Sequence, residues 1–93
     1  MGFSYDPIKA RANFNKHKVV LADAEGVFED PFASRIEDPK SESEQRFIAV
    51  GRGSAGRVLV VVYSHDGEDV RAISARPASR KEREHYESGV RFF

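Results

Sequence analysis

Six apolar residues in a row, Val58-Leu59-Val60-Val61-Val62-Tyr63, constrain this chain more than any other feature. The run is far short of the ~20 residues that span a bilayer. It lacks the polar alternation of a half-solvated strand, and four of its six residues are the same β-branched type. Such a segment reads as a central strand covered on both faces. Turn signals bound it on each side. Gly53-Ser54-Ala55-Gly56 precedes it, and His65-Asp66-Gly67-Glu68 follows, with Asp-Gly a strong hairpin signal. The strands are then 46–52, 58–64 and 70–75, an antiparallel meander over 45–76.

The first half has a different rhythm. Phe3–Tyr5 reads as a short strand. Asp6 before Pro7 is a helix start, since Asp accepts orphan amide hydrogens and Pro loses nothing at the first helical position. That helix runs over Pro7–His17. A second helix is expected over 21–29, where Leu21, Ala24 and Phe28, with Val20 and Val27 beside them, recur at helical spacing. Gly26 inside it costs roughly 1 kcal/mol relative to Ala, and Asp30-Pro31 ends it. Residues 32–36 suit a short strand, and 38–44, polar and containing Pro39, a loop. Near the end, Ser79 and Glu82 fit a capping box for a helix over Arg80–Ser88 that stops at Gly89. Tyr86 is its single clear anchor, so this helix is either mobile or completed by a partner. Two helices, a meander and a closing helix make an α+β fold, expected as a single domain over 1–93.

Composition narrows the function classes. Hydrophobic residues are 40% and charged residues 32% of the chain, which is a globular balance. Cysteine is absent, which excludes disulfides, Cys-based zinc sites and Cys nucleophiles. No signal peptide, lipid anchor or membrane span is written, so the expected compartment is the cytoplasm. His17, His65 and His85 are far apart, and no metal site or other cofactor is expected. The net charge of zero hides a pattern: residues 1–20 carry net +3, residues 21–45 net −6 and residues 46–93 net +3. If the two basic segments meet, one face is positive and suits a phosphate-bearing partner.

Several segments together resemble a known family. Tyr5-Asp6-Pro7, Lys9, Asn13 and Lys16-His17 are similar to its opening. Ala24, Val27-Phe28 and Asp30-Pro31 resemble its second helix and stop, and Arg46-Phe47 with Val50-Gly51 its first long strand. Val70-Arg71-Ala72-Ile73-Ser74-Ala75-Arg76, then Ala78, Glu82-Arg83 and Tyr86, resemble its most recognisable stretch. The family is BrnT, the toxin half of a bacterial type II toxin–antitoxin pair. The resemblance covers residues 5–87. Tyr5 stands where many members have Trp. The resemblance implies a RelE-like fold and a small ribonuclease that cleaves RNA and halts translation. It also implies a cognate antitoxin with a ribbon-helix-helix part, through which alone the pair would touch DNA.

Metal-free RNA cleavage needs a base near the 2′-hydroxyl, donors on the phosphate and an acid at the leaving 5′ oxygen. Arg71, Arg76 and Arg46 are the phosphate-clamp candidates. Regular alternation sets Arg71 and Arg76 on opposite faces of a strand. Either a bulge intervenes near Pro77, or the two do not share a site and one pairs with Glu82, Glu84 or Glu87. His17 is either a proton-transfer group or a helix C-terminal cap. Tyr86 is either a base or phosphate contact or the anchor of the last helix. Lys16, Arg52, Arg80 and Arg83 are candidate RNA contacts. Lys9, Asn13 and Tyr5 either serve the site or hold the first helix. The competing reading is a non-enzymatic protein-interaction or corepressor module, suggested by the neutral charge and the polar final helix.

Overall fold

The computed structural model describes residues 2–40 and 44–89. In chain order the elements are β1 (Phe3–Tyr5), α1 (Pro7–His17), a 3-10 turn (Leu21–Ala24), α2 (Glu25–Glu29), β2 (Ser34–Glu37), β3 (Phe47–Arg52), β4 (Val58–Asp66), β5 (Asp69–Pro77) and α3 (Arg80–Ser88). The fold is α+β, and the apolar run lies at the sheet's centre, in the order β1-β5-β4-β3-β2. The meander is there, but it is not the whole sheet. β2 extends it antiparallel at one edge, and β1 joins the other edge parallel to β5, so the sheet is mixed. β3 begins at Phe47, leaving Arg46 just outside it, and β4 and β5 each run two residues further than expected. The loop expected over 38–44 falls partly outside the described residues.

The segment expected as one helix over 21–29 divides into a 3-10 turn and a five-residue α2. The β3–β4 turn is packed against this junction. The Ser54 N–H donates to the Asp23 carbonyl at 2.8 Å, and the Gly26 N–H donates to Ser54 Oγ at 3.0 Å. A Cβ at Gly26 would lie 2.4 Å from the Ser54 nitrogen. Close backbone approach thus explains the glycine that helix propensity alone disfavours.

The sheet's inner face carries the main core. Leu59, Val61, Tyr63, Val70, Ala72 and Ala75 pack there against Val19, Leu21, Ala24, Val27 and Phe28. Tyr63 meets the Phe28 ring edge-on at 4.8 Å and stacks on Phe47 at 5.6 Å. The outer face carries a smaller cluster, Val50, Val58, Val60 and Ala78, with Ile48 and Tyr86 against it.

One irregularity decides the chemistry of the outer face. Tyr63 pairs with Ala72 and Val62 pairs with Ser74, so Ile73 is an extra residue, a β-bulge. The bulge resets the alternation of β5. Arg71 stands opposite Ser64, Ser74 opposite Val62 and Arg76 opposite Val60, and paired residues share a face. The bulge lies at Ile73 rather than near Pro77, and it puts Arg71 and Arg76 on the same face.

β1 covers the edge of β5 only at residues 70–72. Beyond that, the buried side chain of Asn13 takes the place of a strand. Its Nδ2 donates to the Ala75 carbonyl at 2.9 Å and its Oδ1 accepts from the Ala75 N–H at 2.9 Å. The same Nδ2 donates to the Val19 carbonyl at 3.1 Å, closing the turn after α1. Asn13→Ala leaves these buried main-chain groups unpaired. The expected cost is on the order of 3 kcal/mol in urea unfolding; a loss under about 1 kcal/mol would contradict the edge-clamp role.

α3 has the anticipated capping box and ends at Gly89 in the left-handed region. More than its tyrosine holds it. Arg76 donates to both carboxylate oxygens of Glu82 at 2.8 and 3.0 Å, and Tyr86 donates to Asp30 Oδ2 at 2.5 Å. The Arg76 hydrogen bonds, aided by the Ser79 N–H, hold Glu82 down at about 2. A depressed carboxylate stabilises the fold above its unfolded value of 4.5 and loses that contribution as pH falls toward about 2. Because the pair is partly exposed, the contribution is about 1 kcal/mol. Wild type is therefore expected to lose stability from pH 5 to pH 2 more steeply than Glu82→Gln; parallel curves would refute the assignment.

Candidate functional site

α1 crosses the bare edge of β5, and two adjoining hollows form where helix and strand meet. The larger, of about 530 Å³, is lined by Lys9, Glu44, Ser64, Asp66, Arg71 and Ile73 among others. The smaller, of about 240 Å³, is lined by Lys9, Ala12, Asn13, Lys16, His17, Ile73 and Ser74. They share Lys9 and Ile73, so they make one groove. Its helical wall is a stripe at i, i+4, i+7 and i+8: Lys9, Asn13, Lys16, His17. Lys9 and His17 are eight residues apart, about 12 Å along the axis. Asn13 points inward and fixes the stripe to β5; the basic residues beside it face the groove. The bulge at Ile73 supplies the other wall, setting Arg71 and Ser74 on the outer face.

Arg71 is exposed and makes no ion pair among the described residues. Arg46 is also exposed and unpaired among them, one residue before the Phe47–Tyr63 pair. Continued alternation sets Arg46 on the face of Ile48, Ser64 and Arg71.

A second region lies where β3 ends. Asp30, beyond α2, accepts from the Arg52 N–H at 2.8 Å, the Phe32 N–H at 2.9 Å and the Tyr86 hydroxyl. Burial alone would raise its carboxyl. The three donors and the Arg52 charge outweigh burial and hold it below the ordinary value. Burial, then the bond to Asp30 and its negative charge, push the Tyr86 hydroxyl up. The Arg52 guanidinium lies 5.7 Å from the Tyr86 ring centre.

The candidates therefore separate. Lys16 and His17 line the groove with Arg71, and Arg46 lies on the same face. Arg76 shares that face, but Glu82 engages its guanidinium. Tyr86 stands with Arg52 at the other end, in two hollows lined by neither His17 nor Arg71. Arg83 lines a cleft with Arg52. Arg80 projects into solvent and pairs with Glu84 at 3.1 Å. In the sequence Asp30 reads only as a helix stop, and Lys9 fits both the site and the first helix. The i, i+4, i+7 spacing of Lys9, Asn13 and Lys16 was the signal for Lys9. Asp30 gave none, because two of its three donors, the Arg52 N–H and the Tyr86 hydroxyl, come from distant segments. Among the described residues no three His, Asp or Glu side chains are grouped to hold a metal ion, and no helix is long and apolar enough to cross a membrane.

Comparison with known proteins supplies the family. The model of the ribonuclease toxin BrnT of type II toxin–antitoxin systems matches residues 5–82. The 1.1 Å crystal structure of the Brucella abortus ribonuclease toxin BrnT superposes with a TM-score of 0.63 at 27% identity, covering 86% of this chain and 99% of that one. No protein of curated function matches the sequence. The matched span takes in both walls of the groove and the bulge between them: the chain belongs to the BrnT family of type II toxin–antitoxin ribonuclease toxins.

Proposed function

We propose that this chain cleaves RNA in the groove between α1 and β5, without a metal, and thereby halts translation in the cytoplasm. The carrying observation is the bulge at Ile73, which turns Arg71 toward the groove that α1 lines with Lys9, Lys16 and His17. Family membership and the likeness to a protein described as a ribonuclease toxin support the same reading. A RelE-like arrangement of the helices around the sheet is part of the proposal.

The chemistry is transesterification. The 2′ oxygen loses its proton and bonds to phosphorus; the bond from phosphorus to the 5′ oxygen breaks; that oxygen takes up a proton. The products are a 2′,3′-cyclic phosphate and a 5′-hydroxyl. Arg71 and Lys9 hold the phosphate and the charge that develops on it, with Arg46 adding positive potential from the same face. His17 moves a proton at the adjoining end, and Lys16 contacts the neighbouring backbone. Arg76 braces α3 through Glu82, and Tyr86 braces it through Asp30. The partner is a protein antitoxin whose ribbon-helix-helix part binds operator DNA and whose binding neutralises the toxin.

Purified protein is expected to cut single-stranded RNA with chelator present, leaving cyclic phosphate ends. His17→Ala and Arg71→Ala are each expected to slow cleavage about 100-fold or more, with thermal stability unchanged. Wild-type protein that leaves RNA intact, or full activity in both variants, would overturn the proposal.

A further inference from the structure

Arginines in this structure divide by what holds them. Arg76 and Arg80 are bound to carboxylates. Arg52, Arg57 and Arg83 are held by main-chain carbonyls instead. Arg52 Nη1 donates to the Gly56 carbonyl at 2.7 Å, Arg57 Nη2 to that of Lys18 at 3.2 Å, and Arg83 Nη1 to that of Ala78 at 3.3 Å. A neutral acceptor fixes a guanidinium without cancelling its charge, and leaves most of its five donors unused; Arg57 and Arg83 are held this way alone, while Arg52 also acts on the nearby Asp30 carboxylate. All three arginines line one cleft of about 330 Å³, floored by Val58 and Pro77. Glu87 is the cleft's one carboxylate, and no ion pair joins it to these arginines among the described residues.

The cleft has two neighbours. Arg57 is anchored on the carbonyl of Lys18, the residue after His17, which ties this side of the cleft to the C-terminal end of α1. On its other side Arg52 also lines a hollow of about 520 Å³ with Tyr86 and Phe32. Phe32 is 77% exposed, so its ring is open to solvent. Fixed cations beside open aromatic faces are how proteins track single strands: phosphates sit on the cations, and unpaired bases stack on the rings.

We propose that Arg52, Arg57 and Arg83 form a phosphate-binding subsite for single-stranded RNA, extending the groove, with Phe32 and Tyr86 stacking a base beyond it. The inference rests on the proposed RNA cleavage and adds to it a footprint of several nucleotides.

Fluorescence anisotropy with 2′-O-methyl RNAs of two to twelve nucleotides tests it, alongside cleavage of a dinucleotide. For wild type, affinity is expected to rise steeply with length and to fall with salt. Arg57→Gln combined with Arg83→Gln is expected to remove most of the gain with length and to lower the salt slope by about 2. Arg57→Lys with Arg83→Lys should restore much of it. Phe32→Ala is expected to weaken the longer strands about tenfold. Dinucleotide cleavage should stay within twofold of wild type in every variant. Length dependence that survives the Gln pair, or equal binding of blunt duplex DNA, overturns the subsite while the groove stands. An inert dinucleotide with no RNA bound at any length overturns both readings.

Discussion

The outer face depends on how one asparagine treats one residue of β5. A sheet edge exposes an N–H and a C=O that need partners, and another strand is the usual answer. Here β1 ends after three residues, and the Asn13 amide completes the edge by pairing with both main-chain groups of Ala75. A carboxamide is the side-chain copy of a peptide group, so it can do this in one contact. The contact also sets the height and rotation of α1 against the sheet. Lys9, Lys16 and His17 take their positions from it, being on the same helical stripe.

The bulge at Ile73 is the complementary device on the strand. Without an extra residue, Arg71 would share the inner face with Ala75 and sit in the apolar core. With it, Val70, Ala72 and Ala75 all remain inside and Arg71, Ser74 and Arg76 all turn outward. The neutral net charge of the chain is thereby compatible with a polyanionic partner. Charge is sorted by position rather than by excess: some guanidinium groups are spent on carboxylates, and those of Arg57 and Arg83 are held by carbonyls with their charge intact.

Features written in local chemistry were legible. The bounds Pro7–His17 and Arg80–Ser88 follow from an Asp-Pro start, a capping box and a closing glycine, and the structure keeps both. The central strand followed from an apolar run. Features that depend on pairing were not legible. The bulge exists only in the register between Tyr63 and Ala72. The parallel pairing of β1 joins residues nearly seventy positions apart. The break between the 3-10 turn and α2 accompanies contacts from Ser54, two strands further along the chain. For the site, residue types pointed to phosphate chemistry, but the division of the candidates into a groove and a distal cleft required coordinates. Arg76 shows why: its motif position matched Arg71's, and only the geometry reveals its bond to Glu82.

The most direct measurement is amide chemical-shift mapping of the wild-type protein with a dinucleotide whose 2′-hydroxyl is methylated. Perturbations are expected at Lys9, Lys16, His17, Arg71 and Ser74, with the core strand residues Leu59 and Val61 unmoved. Shifts confined to β2 and α2, with that groove silent, would contradict the claim that α1 and the bulged strand together hold the RNA.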